Sequence, residues 1–327
     1  MPRPAENHAM LIRREAVRLG FASVGFSPLR PQENAHGRLR NMITEKRNGE
    51  MHYLETRFPE RADPGLLLPE VKTIVSAALS YYMPESRPPA SGTARISRYA
   101  VIEDYHRVVR AKLESLLAFI RTLYGGELQA VIAVDSSPVL EKAWAEVSGI
   151  GRTGKNTLLI TPSSGSYVFL GELLINREIQ ETPQTMPDLC GACRSCLESC
   201  PTGALVEPGK LDARKCISYL TVELKRDFTP EESLLVGNWL FGCDLCQEAC
   251  PFNRFRKTAP EGVFTLKEEL RALNPQDILN LTGSGFRRLF YGTPFYRIGL
   301  KRLKRNARAV MENLRKSAEA KKDQKTE

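Results

Sequence analysis

The sequence predicts an α/β domain, then a cysteine-rich module, then a short basic helical region. Three observations predict this. Helix-like and strand-like runs alternate over residues 1–178. All eight cysteines fall between Cys190 and Cys250. The net charge of +9 is confined to one end: residues 286–327 hold 13 Lys/Arg against 4 Asp/Glu, so the rest of the chain is formally neutral. At 327 residues, with 42% hydrophobic and 26% charged side chains, the chain suits a folded protein of two domains and not a disordered or fibrous one. No apolar run reaches the roughly 18 residues of a membrane span. The opening "MPRPAENHAMLIRREAVRLG" has no signal-peptide core. A cytoplasmic, monomeric protein without membrane contact is expected. In a reducing compartment, clustered cysteines point to metal and not to disulfides.

Residues 9–19 have helical spacing and stop at Gly20. "ASVGF" reads as a short strand. "RLRNMITEKRNGEMHYLETRF" reads as two helices broken at Gly49. "TIVSAAL" (73–79) is an apolar run suited to a buried strand. "SRPPASG" is a loop by its Pro and Gly content. Residues 103–123 form an amphipathic helix with Val108, Val109, Leu113, Leu116, Leu117 and Ile120 on one face. A strand over 129–134 then runs into Asp135, and Ser136-Ser137-Pro138 is expected to open a helix. "NTLLITP" and "SYVFLGELLIN" are two further strands. After residue 255 the pattern is helical to the end, with "KSAEAKKDQKTE" (316–327) polar enough to be disordered.

The cysteines follow the pattern Cys190-x2-Cys193-x2-Cys196-x3-Cys200-Pro201, then Cys216, then Cys243-x2-Cys246-x3-Cys250-Pro251. Three thiolates at this spacing wrap three irons of a cubane. The fourth, before proline, ligates the other cluster in two-cluster ferredoxins. Cys190, Cys193, Cys196 and Cys250 are therefore assigned to one [4Fe–4S] cluster, and Cys200, Cys216, Cys243 and Cys246 to a second. Zinc sites pair cysteines with a longer gap between pairs, which does not explain this run and its near-copy. Twenty-six residues separate Cys216 from Cys243, and this insertion is placed to fold over whatever lies beside the second cluster.

"GIGRTGKNT" (149–157) is almost a Walker A loop. Asn156 stands where Ser or Thr would hold Mg²⁺, and the loop leads from helix to strand, the reverse of a P-loop. Nucleotide hydrolysis is not expected. Arg152, Lys155 and Asn156 could instead bind a polar group, or the segment could be a plain turn. Asp135 at a strand end reads either as a site residue or as a helix N-cap. "DYH" (104–106) reads as a helix cap.

The order of segments resembles the epoxyqueuosine reductase family, cobalamin-dependent enzymes of queuosine tRNA modification. The resemblance rests on "RISRYAVIEDYH", "VDSSPVLEKAWAEVSGIGRTGKNTLLI", "GSYVFLGELL", "CGACRSCLESCPTGAL", "CISYLTVEL", "FGCDLCQEACPFN" and "GTPFYRIGLKRLKRNA". It implies a nitroreductase-like cobalamin-binding domain over 1–180, a ferredoxin-like module with two [4Fe–4S] clusters over 181–255, and a helical tRNA-binding region over 256–315. It implies base-off cobalamin, a low-potential external electron donor, and tRNA carrying epoxyqueuosine as substrate. The epoxide oxygen leaves as water, which needs two electrons and two protons. By resemblance Asp135 is the proton donor, expected to stay protonated in a desolvated pocket. Arg57, Ser97, Thr157, Ser218 and Asp244 lie in segments similar to the family's corrinoid-binding positions. The Asp-x-His-x2-Gly motif that gives cobalt a histidine in other proteins is absent, as base-off binding without a histidine ligand implies.

The basic end supplies Arg287, Arg297, Lys301, Arg302, Lys304 and Arg305, with Phe290, Tyr291, Phe295 and Tyr296 among them, a composition suited to RNA phosphates and bases. Two rival readings share parts of this pattern: a corrinoid iron–sulfur reductive dehalogenase and a ferredoxin-like electron carrier. The first usually carries an export signal, and the second leaves about 180 N-terminal residues without a task.

Overall fold

The computed structural model describes residues 7–84, 93–125, 127–181, 185–254 and 256–323. The expected loop at 86–92 and the last four residues lie outside this set. The frame is a four-stranded sheet of β1 (Ser23–Pro28), β2 (Thr73–Ser80), β3 (Ala130–Ala133) and β4 (Val168–Ile175), in the order β1-β2-β4-β3. All three pairings are antiparallel. The expected mixture of helix and strand is therefore present in its α+β form. Every residue of β2 is buried, which is why its sequence lacks polar alternation.

Helices α1 (His8–Arg18) and α3 (Tyr105–Tyr124) cover one face of the sheet. Ile12, Val109, Leu113, Leu116 and Ile120 join Phe26, Val75, Leu79 and Leu173 in one core. The other face is covered by α4 (Glu141–Val147), with Trp144 set against Ile74, Ala133 and Leu174. The helix expected to open at Ser136 begins only at Glu141. Asp135 has φ of +44°, a left-handed conformation that cannot start a right-handed helix. The segment before α4 is instead a turn, closed by Ser137 N–H to the Val134 carbonyl and Val134 N–H to Ser137 Oγ.

The cysteine module is stitched to this frame at several points. The insertion after Cys216 places Tyr219 against Gly49, where a Cβ would sit 2.4 Å from the phenol oxygen. The same phenol accepts the Glu50 N–H at 2.7 Å. Residues Trp239–Phe241 pair with Arg95–Ile96. Residues 259–266 return to the first domain, where Ala259 N–H donates to the Tyr82 carbonyl and Phe264 enters the main core. A second core joins Ala100, Val101, Leu240 and Phe241 to the C-terminal helices α5 (Gly283–Phe290) and α6 (Gly299–Asp323). Helix α6 runs through Lys316 to Asp323, so the tail expected to be disordered continues the helix over its first part. Pairs of Arg315 with Glu312 and Glu319 support that extension.

Candidate active site and cluster sites

Asp135 leaves the end of β3 in its left-handed turn and meets the start of α3. Its Oδ2 accepts from His106 Nε2 at 2.7 Å and from the Tyr105 hydroxyl at 3.1 Å, with Arg297 Nη1 at 3.7 Å. His106 Nδ1 lies 2.6 Å from Asp104 Oδ1. Both imidazole nitrogens thus face carboxylate oxygens, and Arg297 Nη1 also lies against Nε2, so a carboxylate and a guanidinium meet at that nitrogen. Burial alone would lower the His106 pKa, but the bonds to Asp104 and Asp135 outweigh it and raise it. Burial alone would raise Asp135. The bond and charge of His106, the Tyr105 hydroxyl and Arg297 outweigh it, and the net direction is down. These neighbours favour the ionised carboxylate, the opposite of the protonated Asp135 that the resemblance implies.

The turn itself is tethered. Asp135 N–H donates to Glu141 Oε1 on the first turn of α4. Burial and the Asp135 charge push the Glu141 acid up to about 8, so it is neutral at pH 7. Glu172 of β4 lies beneath α4 with both carboxylate oxygens buried and unpartnered, and burial holds it neutral. Tyr105 is stacked between His106 and Phe169, with ring centroids 4.1 and 4.0 Å away, which fixes the hydroxyl on Asp135.

A cavity of about 700 Å³ opens beside Asp135. Leu39, Met42, Met51, Leu54, Val139 and Leu140 give it apolar walls, and its charged lining is mixed, with Arg38, Arg61, Lys142 and Lys210 beside Glu45, Glu141 and Glu207. The hairpin around Gly209 in the cysteine module closes one side, held by Arg47 Nη1 to the Leu211 carbonyl at 2.7 Å. Of the six residues marked by resemblance, Asp135 and Thr157 line this cavity; Thr157 also receives Lys142 Nζ on its carbonyl at 2.8 Å. Arg57, Ser97, Ser218 and Asp244 are not on its wall. Arg57 pairs with Glu60 at 2.6 Å. Ser97 is buried against Gly242, where a Cβ would meet its hydroxyl at 2.1 Å. Ser218 precedes the turn Tyr219–Glu223. Asp244 is buried, raised to about 6 by that burial, and accepts the Arg98 N–H at 2.7 Å, which ties the two domains together.

The eight cysteines, distant in sequence, gather as two groups. Cys190, Cys193, Cys196 and Cys250 line one small cavity. Cys246 and Cys243 are electrostatically coupled to Cys216 and Cys200. Burial pushes the Cys243 thiol up to about 12 and Cys246 up as well. The first group is the outer one: Cys193 is exposed. Glu223, on the turn after Cys216, is raised by burial and by the Asp135 charge.

The basic residues divide. Arg287 and Lys301 are exposed and Lys304 is half-buried. Arg297 faces Asp135. Arg302 and Arg305 point inward, against the expectation of an RNA face. Arg302 donates to the carbonyls of Ile298, Val222 and Arg297, and Arg305 to those of Leu220, Leu224 and Arg226. They cap the open carbonyls of the turn 219–226 and are structural. The sequence reading missed Tyr105, His106 and Glu141. Asp104 does cap α3, accepting the His106 N–H at 3.1 Å, and that ordinary role hid the one beside it.

Residues 61–136 match the family model described as "Epoxyqueuosine reductase QueG, DUF1730", and residues 189–253 match that of a "4Fe-4S double cluster binding domain". An epoxyqueuosine reductase of Cellulophaga algicola is 41% identical over 302 residues, covering 92% of this chain and 97% of its own. The chain belongs to the epoxyqueuosine reductase family. A second family member, from Gloeobacter violaceus, is 38% identical over 93% of this chain and 95% of its own. Among solved structures, the epoxyqueuosine reductase of Streptococcus thermophilus superposes with a TM-score of 0.84 at 31% identity, over 94% of this chain and 82% of that one. An epoxyqueuosine reductase bound to an epoxyqueuosine-modified tRNA stem loop gives the same TM-score and identity, over 94% and 81%. The Bacillus subtilis enzyme, with its catalytic Asp loop swung out of the active site, gives 0.82 at 30% identity, over 94% and 82%. Family membership excludes the dehalogenase and electron-carrier readings. The double-cluster domain gives the chain two iron–sulfur clusters. Among the described residues no helix is long and apolar enough to cross a membrane.

Proposed function

We propose that this chain reduces epoxyqueuosine to queuosine in tRNA, with its active site at Asp135. The observation that carries the site is the convergence of His106, Tyr105 and Arg297 on the Asp135 carboxylate at the rim of the 700 Å³ cavity. That cavity fits a corrinoid: apolar walls suit the macrocycle, and Arg38, Arg61 and Lys142 suit the phosphate of its nucleotide tail. Cobalamin held there would supply the reducing centre, and clusters held by Cys190, Cys193, Cys196 and Cys250 and by Cys200, Cys216, Cys243 and Cys246 would supply electrons singly.

The side chains manage the protons. Removing the epoxide oxygen as water consumes two protons. The His106 imidazolium holds one within hydrogen-bond reach of Asp135, which relays it to the substrate oxygen at the rim; the second follows the same route after His106 is reprotonated from solvent. Asp104 keeps the imidazole oriented and charged. Arg297 offsets the net negative charge of Asp104, His106 and Asp135 taken together. Outside the cavity, exposed Arg287 and Lys301 contact tRNA phosphates, and exposed Tyr291 and Tyr296, edge to face at 5.4 Å, offer rings to unstacked bases. Cys193, the exposed member of the first group, marks the entry point for a low-potential donor, and the protein acts as a monomer.

Anaerobic incubation of cobalamin-loaded, reduced protein with tRNA carrying epoxyqueuosine tests the reading. Nucleoside mass spectrometry should show loss of one oxygen from the modified base, with no turnover of an aryl halide offered in parallel. Halide reduction without change in the tRNA would overturn it.

A further inference from the structure

The near-Walker loop at 149–157 finds its use at the first group of cysteines. Lys155 donates its backbone N–H to Cys190 Sγ at 3.4 Å. Its ammonium donates to the carbonyls of Gly191 and Cys193 at 2.6 and 2.8 Å, pinning the Cys190–Cys193 loop from outside. Asn156 lies on the wall of the same cavity as Cys190, Cys193, Cys196 and Cys250. Its side chain is 4% exposed. Its Oδ1 accepts the Leu158 N–H at 3.2 Å, which fixes the orientation of the amide, while Nδ2 is buried with no protein partner. A buried amide donor left unpaired is costly, so its presence needs an acceptor. Ser or Thr, the Walker residue at this position, would bring a shorter side chain with a single donor. Asn brings a fixed N–H₂.

We infer that Asn156 donates a hydrogen bond to the sulfur of the outer iron–sulfur cluster and, with the Lys155 N–H, raises that cluster's reduction potential relative to the inner one. Hydrogen bonds to cluster and cysteine sulfur stabilise the more negative, reduced state and so raise the potential. The outer cluster thereby accepts an electron more readily from a donor at the exposed Cys193 side. The inference rests on assigning these four cysteines to one cluster, which iron and sulfide content of the wild-type protein checks separately.

The test is an EPR-monitored redox titration of the iron-loaded, full-length protein and three variants, Asn156→Leu, Asn156→Ala and Asn156→Gln. Asn156→Leu keeps the volume without a donor, and Asn156→Ala removes both. In an iron-replete variant one of the two cluster midpoints should move to more negative potential while the other stays, and deuterium-sensitive Fe–S stretches present in the wild type should weaken. Unchanged midpoints in an iron-replete Leu or Ala variant would overturn the inference. Loss of one cluster in both, with assembly restored by Asn156→Gln, would support a required donor. Loss in all three would contradict it, since packing alone would then explain the residue.

Discussion

The chemistry turns on which atom holds the proton. A lone aspartate in a desolvated pocket would be expected to stay neutral, but the Asp135 side chain is half-exposed and is one half of an ion pair with His106. Asp135→Asn should lower turnover at least ~100-fold while leaving corrinoid binding intact by its absorption spectrum. It should also return the His106 imidazole toward its ordinary value in an NMR titration; an unchanged value would remove the pair as the cause. The sign of the pH dependence follows. The His106 pKa is raised, so the charged, donating form is complete at low pH and lost as pH rises through its folded value. Turnover should fall along that alkaline limb, and so should the pair's contribution to stability. A pH–rate profile in which turnover rises there would contradict this. Little of this was legible in the sequence. Asp135 could be marked by resemblance, but the strand end and the helix start that join it to His106 lie 29 positions apart, and only packing brings them together.

At the scale of elements, sequence patterning was reliable where one period dominated. The fully apolar β2 and the five buried residues of α3 follow directly from it. It failed where a residue broke the pattern for a reason outside its own segment. Asp135 delays α4 because its left-handed turn is tethered by Glu141. The basic run of α6 looked like one RNA face, yet Arg305 and Asn306 lie among Leu303, Ala307 and Val310 on its buried side. That interleaving with apolar residues was the available signal. Arg305→Ala should therefore destabilise the fold by about 3 kcal/mol through the carbonyls it leaves unpaired, seen as a Tm drop of roughly 5–10 °C. Lys301→Ala and Arg287→Ala should leave Tm unchanged and weaken tRNA binding. Each should reduce the slope of log K against log salt by roughly 1. A stable Arg305→Ala, or a salt slope untouched by the other two, would reverse these roles.

At the scale of the molecule, the cysteine spacing was the most legible feature because ligand geometry dictates it. The structure gathers the two groups that the Cys-Pro rule pairs across 60 residues, from Cys190 to Cys250. Interlocked ligation ties the two halves of the module together. Cys250→Ser and Cys200→Ser should each cost about half of the iron, the first removing the outer cluster and the second the inner. What the sequence left open was how the module meets the catalytic domain: the Tyr219–Gly49 contact, the Asp244–Arg98 bond and the returning strap 259–266 are all long-range. These contacts fix the cysteine module against the catalytic domain, with Cys193 of the first group exposed to solvent. The most direct test of the whole account is expression of this chain in cells that accumulate epoxyqueuosine in their tRNA, followed by nucleoside mass spectrometry. The account predicts that queuosine replaces epoxyqueuosine with the wild-type chain and not with Asp135→Asn. Epoxyqueuosine persisting beside an iron- and cobalamin-loaded wild-type protein would contradict it.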